Sequence, residues 1–253
     1  MLEYYMGFFR CSSLRSFKEL LVSDTMLHMK KTFSTELAYI IGLSILALGV
    51  AFMEKPDFGV SMVVAPAYIL HLKLSETWSF FTFGMAEYTL QAVLLILMIV
   101  VLRRFKISYL FSFVTAVLYG FILDLCMLIV AGIPMETMFL RIVYYILGMV
   151  LCSMGISLLF HTYISPEVYE LLVKEVSARY GIEIHRFKTC YDIASCLTGV
   201  ALSFIFFGFG VFRGVKAGTV ICALVNGTMI GFCSRFLDRH FSFKDTLKLR
   251  KYF

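Results

Sequence analysis

The chain has 253 residues, of which 60% are hydrophobic and 16% charged, with a formal net charge of +6 and a mean hydropathy of +0.86. Soluble domains run near ~45–50% apolar and ~25% charged, so a single core in water is excluded. Disordered, collagen-like and small disulfide-scaffold classes are excluded too, by Gly 17, Pro 4 and seven dispersed Cys. The apolar runs are continuous, not alternating as in a membrane β-barrel. An all-α polytopic membrane bundle is what remains, because a helix satisfies its own backbone in lipid and needs ~20 residues per crossing.

In chain order, residues 1–33 read as a cytoplasmic N-terminal segment. Met1 to His28 lacks a span-length apolar run and a cleavage site, and Met29-Lys30-Lys31 would make a conventional start, so the segment before it is a candidate mis-assigned start. Otherwise Ser16 to Val22 is expected as a short amphipathic helix on the inner membrane surface. Residues 34–131 form a first membrane repeat with spans at Thr35–Met53, Phe80–Leu102 and Ile107–Val130. Between its first two spans lies Gly59 to Ser75, interrupted by Pro66 and expected as a broken or re-entrant helix. Residues 138–237 form a second repeat with spans at Phe139–His161, Phe187–Gly208 and Val215–Phe236. Its interrupting segment, Pro166 to Tyr180, carries Glu167, Glu170, Lys174, Glu175 and Arg179 and is expected on the cytoplasmic surface. Residues 238–253 are a basic cytoplasmic tail.

Six crossings put both ends on one side. Lys30 and Lys31, then Arg103, Arg104 and Lys106, then Arg235 through Lys251 all fall on that side, which the positive-inside rule makes cytoplasmic. The loop around Gly132, Pro134 and Glu136 lacks cations, as an outer loop should; Arg213 and Lys216 are exceptions. The cations bracket apolar segments instead of forming one stripe, so they mark topology and not nucleic-acid binding. The tail is expected to touch anionic headgroups.

The two repeats share an order of features. Gly42 and Gly49 recur as Gly148 and Gly155, each pair on one helix face and expected to pack closely. Glu87 recurs as Asp192, and Gly120 as Gly227. A three-crossing repeat inserts its second copy upside down, a device of transporters whose site lies between the halves where helices break. An ionisable group inside a span usually faces a partner or a wet cavity. Glu87 with Gln91 one turn on, Asp192, Asn226, Ser61 and Tyr119 are therefore the expected substrate-binding residues. Plainer readings stand beside them: an interhelical hydrogen bond for Glu87–Gln91 or Asn226, and a local salt bridge from Asp192 to Lys188. Asp124 is expected to reach the headgroups and Arg141 to snorkel. Gly227 and Gly231 spell G-x-x-x-G, a packing motif. No metal-ligand or nucleophile constellation, cofactor loop or ATP motif is found, and the chain is not expected to be an enzyme.

The run Gly49-Val-Ala-Phe-Met-Glu-Lys-Pro-Asp-Phe-Gly59-Val-Ser-Met, the later Leu72-Lys-Leu-Ser75, Phe83-Gly84, and Gly218-Thr219 through Gly227 resemble the YczE/YyaS/YitT group of bacterial multi-pass membrane proteins. The resemblance covers Met29 to about Phe241 and is closest to a branch of unknown function. It implies fold and membrane location but supplies no catalytic or ligand residues. Ser61-Met-Val-Val-Ala-Pro66 departs from the group's commoner Ser or Ser-Pro plus Trp. The expected function is a small-molecule or ion permease, proton-coupled through Glu87 or Asp192, with the bilayer as its surroundings and homo-oligomerisation or a membrane partner left open. The alternative is an accessory or regulatory membrane protein acting through Pro166 to Lys188 and the tail.

Overall fold

The computed structural model describes residues 31–134 and 136–247. The expected helix at Ser16 to Val22 and the end of the basic tail, 248–253, lie outside these residues. A strand β1 (Lys31–Ser34) leads into α1 (Thr35–Glu54), a short α2 (Ala65–Leu74), α3 (Phe83–Leu102) and α4 (Ile107–Ala131). The second half follows as α5 (Met138–Phe160), a short α6 (Val168–Tyr180), α7 (Ile184–Phe207) and α8 (Ala217–His240), closed by β2 (Phe241–Lys244). Six of these helices, all but α2 and α6, are long and apolar enough to cross a membrane. Their outer faces carry side chains a soluble fold would hide: Leu128, Phe139 and Ile205 are 72–75% exposed. Span ends shift modestly from expectation. α3 starts at Phe83 and not Phe80 because Thr82 caps it, its Oγ1 accepting from Met85 N at 3.1 Å.

α1 and α5 form the central pair. A Cβ built at Gly42 would stand 3.1 Å from Gly155 O, and one at Gly148 would stand 2.7 Å from Gly49 O. The first glycine of one helix meets the second of the other, so the helices run antiparallel at backbone contact, as small residues allow. α4 packs on α1 and α8 packs on α5; α2 lies against α3 and α7, and α6 against α3, α4 and α7.

The structure corrects the placement of α6. Its first six residues, Val168 to Val173, are buried, with Val176 and Ser177; Lys174 and the helix from Ala178 to Tyr180 are exposed. The reason is a sorting of residue types along the helix. Val168, Leu171, Leu172 and Val176 pack with Leu95, Met98, Leu102 and Tyr109, while most of the charge lies in the last two turns. Pro66 likewise opens α2 instead of breaking it, since its missing N–H is not needed in a first turn.

Each short helix follows a buried, non-helical stretch whose backbone is satisfied by side chains from the spans. Thr219 Oγ1 donates to Val60 O at 2.8 Å and Ser195 Oγ to Met62 O at 2.9 Å. In the other half Ser112 Oγ donates to Pro166 O, Thr115 Oγ1 donates to Ser165 O at 3.0 Å, and Val168 N donates to Gln91 Oε1 at 3.0 Å. Gly59, at φ +103°, lies too close to Lys216 N (2.8 Å from an ideal Cβ) for any side chain.

The loops hold two further departures. Arg141 does not snorkel: its guanidinium donates to Pro56 O and sits 5.1 Å over the Phe58 ring, pinning the turn after α1. Arg213 and Lys216 are offset by local acids, Lys216 at 2.6 Å from Asp57 and Arg213 at 3.9 Å from Glu76. The parallel β1–β2 ribbon, which pairs Lys31 with Phe241 through Ser34 with Lys244, was not expected. Because β1 precedes α1 and β2 follows α8, the start and the finish of the bundle share one face.

Candidate functional site

Glu87 and Gln91 are both 0% exposed, one turn apart on α3. They do not merely pair with each other. Gln91 Nε2 donates to Glu167 Oε2 at 3.0 Å and lies 3.5 Å from Glu87 Oε2, while Gln91 Oε1 accepts from Val168 N. One amide thus bridges two carboxyl groups and holds the first turn of α6. Tyr169 donates to Glu87 Oε2 at 2.9 Å, and Tyr119, 1% exposed, lies within electrostatic reach of both Glu87 and Glu167. The other oxygen of each carboxyl group, Glu87 Oε1 and Glu167 Oε1, is buried without a partner. Burial first, then the neighbouring Glu87 and Glu170 carboxylates, push the Glu167 carboxyl well above the usual carboxylate range.

A second group adjoins the first through α6. Lys188 Nζ donates to Glu170 Oε1 at 2.9 Å and lies 3.3 Å from Asp192 Oδ1. The expected Lys188–Asp192 pair is therefore a triad in which one ammonium serves two carboxylates. The contact with Asp192 is a close ion pair without a well-directed hydrogen bond, and Glu170 Oε2 is unpartnered. Among the described residues, four buried carboxyl groups, Glu87, Glu167, Glu170 and Asp192, thus stand against one buried lysine, which pairs with the last two. The N-terminus of α6 offers its partial positive charge to Glu167 and Glu170, which reduces the cost of placing them there.

A cavity of about 260 Å³ between α5, α6, α7 and α8 reaches this triad, and Glu170 and Lys188 are part of its wall. Glu87 and Gln91 lie behind it, outside the lining. Among the described residues no group of three or more His, Cys, Asp and Glu side chains is placed to hold a metal ion.

The sequence model of a family of unknown function (DUF6198) matches residues 33–235. The chain belongs to that family. The matched range runs from β1 into the last turns of α8 and includes every member of the acidic cluster. No curated protein and no solved structure matches the chain.

Within the family region the remaining expected residues separate. Asn226 accepts from Ser153 Oγ at 3.3 Å, an α5–α8 hydrogen bond of the plainer kind. Ser61 is buried, and its carbonyl accepts from Ala65 N at 3.0 Å to start α2. Asp124 does not extend to the headgroups: it accepts from Thr82 Oγ1 at 2.7 Å and Gly84 N at 2.9 Å, fastening the start of α3. Gly120 makes a close approach to α3, with Gly84 O 2.9 Å from its ideal Cβ. Gly227 does not: its ideal Cβ meets only Thr189 Oγ1, at 3.8 Å. Gly227 and Gly231 both line the cavity.

Glu167, Tyr169, Glu170 and Lys188 were not expected as site residues. A signal existed in Val168 to Val173, where Glu170 is the one ionisable carboxylate in an otherwise apolar run with Tyr169 beside it, unlike the charged stretch from Lys174 onward.

Proposed function

We propose that the protein is a permease for a small molecule or ion, coupled to protons through its buried carboxyl cluster. The observation that carries this reading is the excess of four buried carboxyl groups over one lysine, with unpartnered oxygens on each. Such a set cannot be fully ionised in a low-dielectric interior without large cost, so it binds protons or cations and changes its affinity for them when water reaches it. The permease resides in a bacterial inner membrane with both ends cytoplasmic, works without a cofactor and catalyses no covalent reaction.

Its two halves are inverted copies of one unit, akin to the YczE/YyaS/YitT arrangement. Three features support this: the antiparallel glycine contacts of α1 and α5, the matching contacts of α2 with α7 and α6 with α3, and the like placement of Thr219 and Ser112 on the broken stretches. The accessory-protein reading is less well served, since the start of its contact segment, Pro166 to Val173, is withdrawn into the bundle.

The test uses proteoliposomes carrying an internal pH-sensitive dye, challenged with cationic, anionic and neutral small solutes. One class is expected to move protons with it, and Glu87→Gln and Glu167→Gln are each expected to cut that coupled flux at least tenfold. Solute-driven proton flux that survives both substitutions sinks the mechanism.

A further inference from the structure

The cavity beside Glu170 is not symmetric with anything in the first half. There the α3–α4 seam is closed by Gly84 against Gly120, with Asp124 over the top. In the second half the α7–α8 seam at Thr189 and Gly227 stays open, and the space widens into the 260 Å³ cavity. Gly227, Gly231 and Ser234 also line a shallower groove with Leu224, which is 66% exposed on the outer face of the bundle. Groove and cavity have Gly227, Gly231 and Ser234 of α8 in common.

The walls are largely apolar, from Leu159, Phe160, Val173 and Ile230, and the volume falls below the ~300–1,000 Å³ of drug-sized pockets. The polar end consists of Glu170 and Lys188. Lys188 is already engaged, donating to Glu170 Oε1, paired with Asp192, and 5.8 Å from the Tyr191 ring. Its single positive charge is divided between two carboxylates, so the triad retains a negative surplus. Glu170 is 4% exposed, and its Oε2 has no partner. A buried acceptor without a donor has lost its water and gained nothing in exchange, and a ligand N–H supplies the missing hydrogen bond. Lys174 at the rim is exposed, so water screens its charge.

From this cavity and the half-satisfied Glu170 carboxyl in its wall we infer that the protein binds a small organic cation, an amine with an apolar body, its ammonium drawn to the Glu170 carboxyl and its body among Leu159, Phe160, Val173 and Ile230. An anion of the same shape meets the surplus negative charge, and a neutral analogue leaves it uncompensated. This deepens the permease reading and rests on it for its biological meaning, but the site is tested by binding alone.

The experiment is calorimetric titration of the purified protein in nanodiscs, with empty nanodiscs as control, using cyclohexylammonium, cyclohexanol and cyclohexanecarboxylate. Saturable cyclohexylammonium binding, at least tenfold tighter than either analogue, is expected. Glu170→Gln is expected to weaken it at least tenfold while leaving Lys188 paired with Asp192. Gly227→Leu, which fills the cavity without touching a carboxylate, is expected to weaken it similarly. Carboxylate binding as tight as the amine, absence of amine binding, or amine binding retained in both variants overturns the site. Amine binding without flux of any solute in proteoliposomes upholds the site and overturns the permease reading; flux of another solute without amine binding does the reverse.

Discussion

At the scale of single residues, the cluster turns on Glu167. Glu87 and Gln91 were legible because an acid and an amide one turn apart in an apolar span have no bland surface explanation. Glu167 was not, because its partner Gln91 lies 76 positions away and no local spacing records that contact. Lys188 was read as a partner of Asp192, four residues on, and its nearer contact with Glu170 was hidden for the same reason. The raised carboxyl of Glu167 has a consequence for stability. An unfolded glutamate titrates near ~4.3, and this one titrates higher when folded, so above ~4.3 the folded state holds more protons than the unfolded. Its contribution to stability therefore falls as pH rises through that interval. Glu167→Gln keeps the hydrogen-bonding shape and removes the titration. The variant is expected to gain thermal stability relative to wild type between ~pH 5 and ~pH 8, measured by unfolding scans in detergent. A constant difference across that range refutes the account.

At the scale of elements, glycine spacing was the most dependable signal in the chain, and it also shows where spacing stops being informative. Gly42, Gly49, Gly148 and Gly155 repeat seven apart, and all four lie where α1 and α5 touch backbone to backbone. Gly227 and Gly231 carry a better-known spacing, yet at Gly227 there is room to spare. The difference lies in what faces the glycine, which sequence does not state: Cys152 N stands 2.7 Å from the ideal Cβ of Gly49, whereas Thr189 Oγ1 stands 3.8 Å from that of Gly227. A side chain at Gly49 must push two helices apart, an overpacking cost of about 1–3 kcal/mol. Gly49→Val is expected to lose that much stability or to abolish folding, while Gly227→Ala is expected to stay within ~0.5 kcal/mol of wild type. Thermal melts of the pair decide it, and an equal loss in both removes the distinction. The misplacement of α6 belongs at this scale too. Counting its charges placed it on the surface; their position along the helix, apolar first and charged last, is what lets it lie buried at one end and exposed at the other.

At the scale of the molecule, charge and connectivity make the same statement by separate routes. The positive-inside rule sets Arg103, Arg104 and Lys106 on the side of both chain ends, and the β1–β2 ribbon joins the sequence before α1 to that after α8 on one face. Glu36, at the start of α1, accepts from Thr246 N and Leu247 N, which ties the two ends further. The opposite face is held by Arg141 to Pro56, Lys55 to Ala131 O, and Lys216 to Asp57, so its cations are spent on neighbouring carbonyls and acids. That is why Arg213 and Lys216 do not contradict the orientation: paired with Glu76 and Asp57, they weigh little as topology markers. The proposed orientation sets the face bearing the ribbon in the cytoplasm and the loop at Glu136 outside. In a variant stripped of its native cysteines, Glu136→Cys is expected to react with a membrane-impermeant maleimide in intact cells, and Lys244→Cys only after permeabilisation. The reverse labelling inverts the orientation, and labelling of both in intact cells would separate the two ends that the ribbon joins.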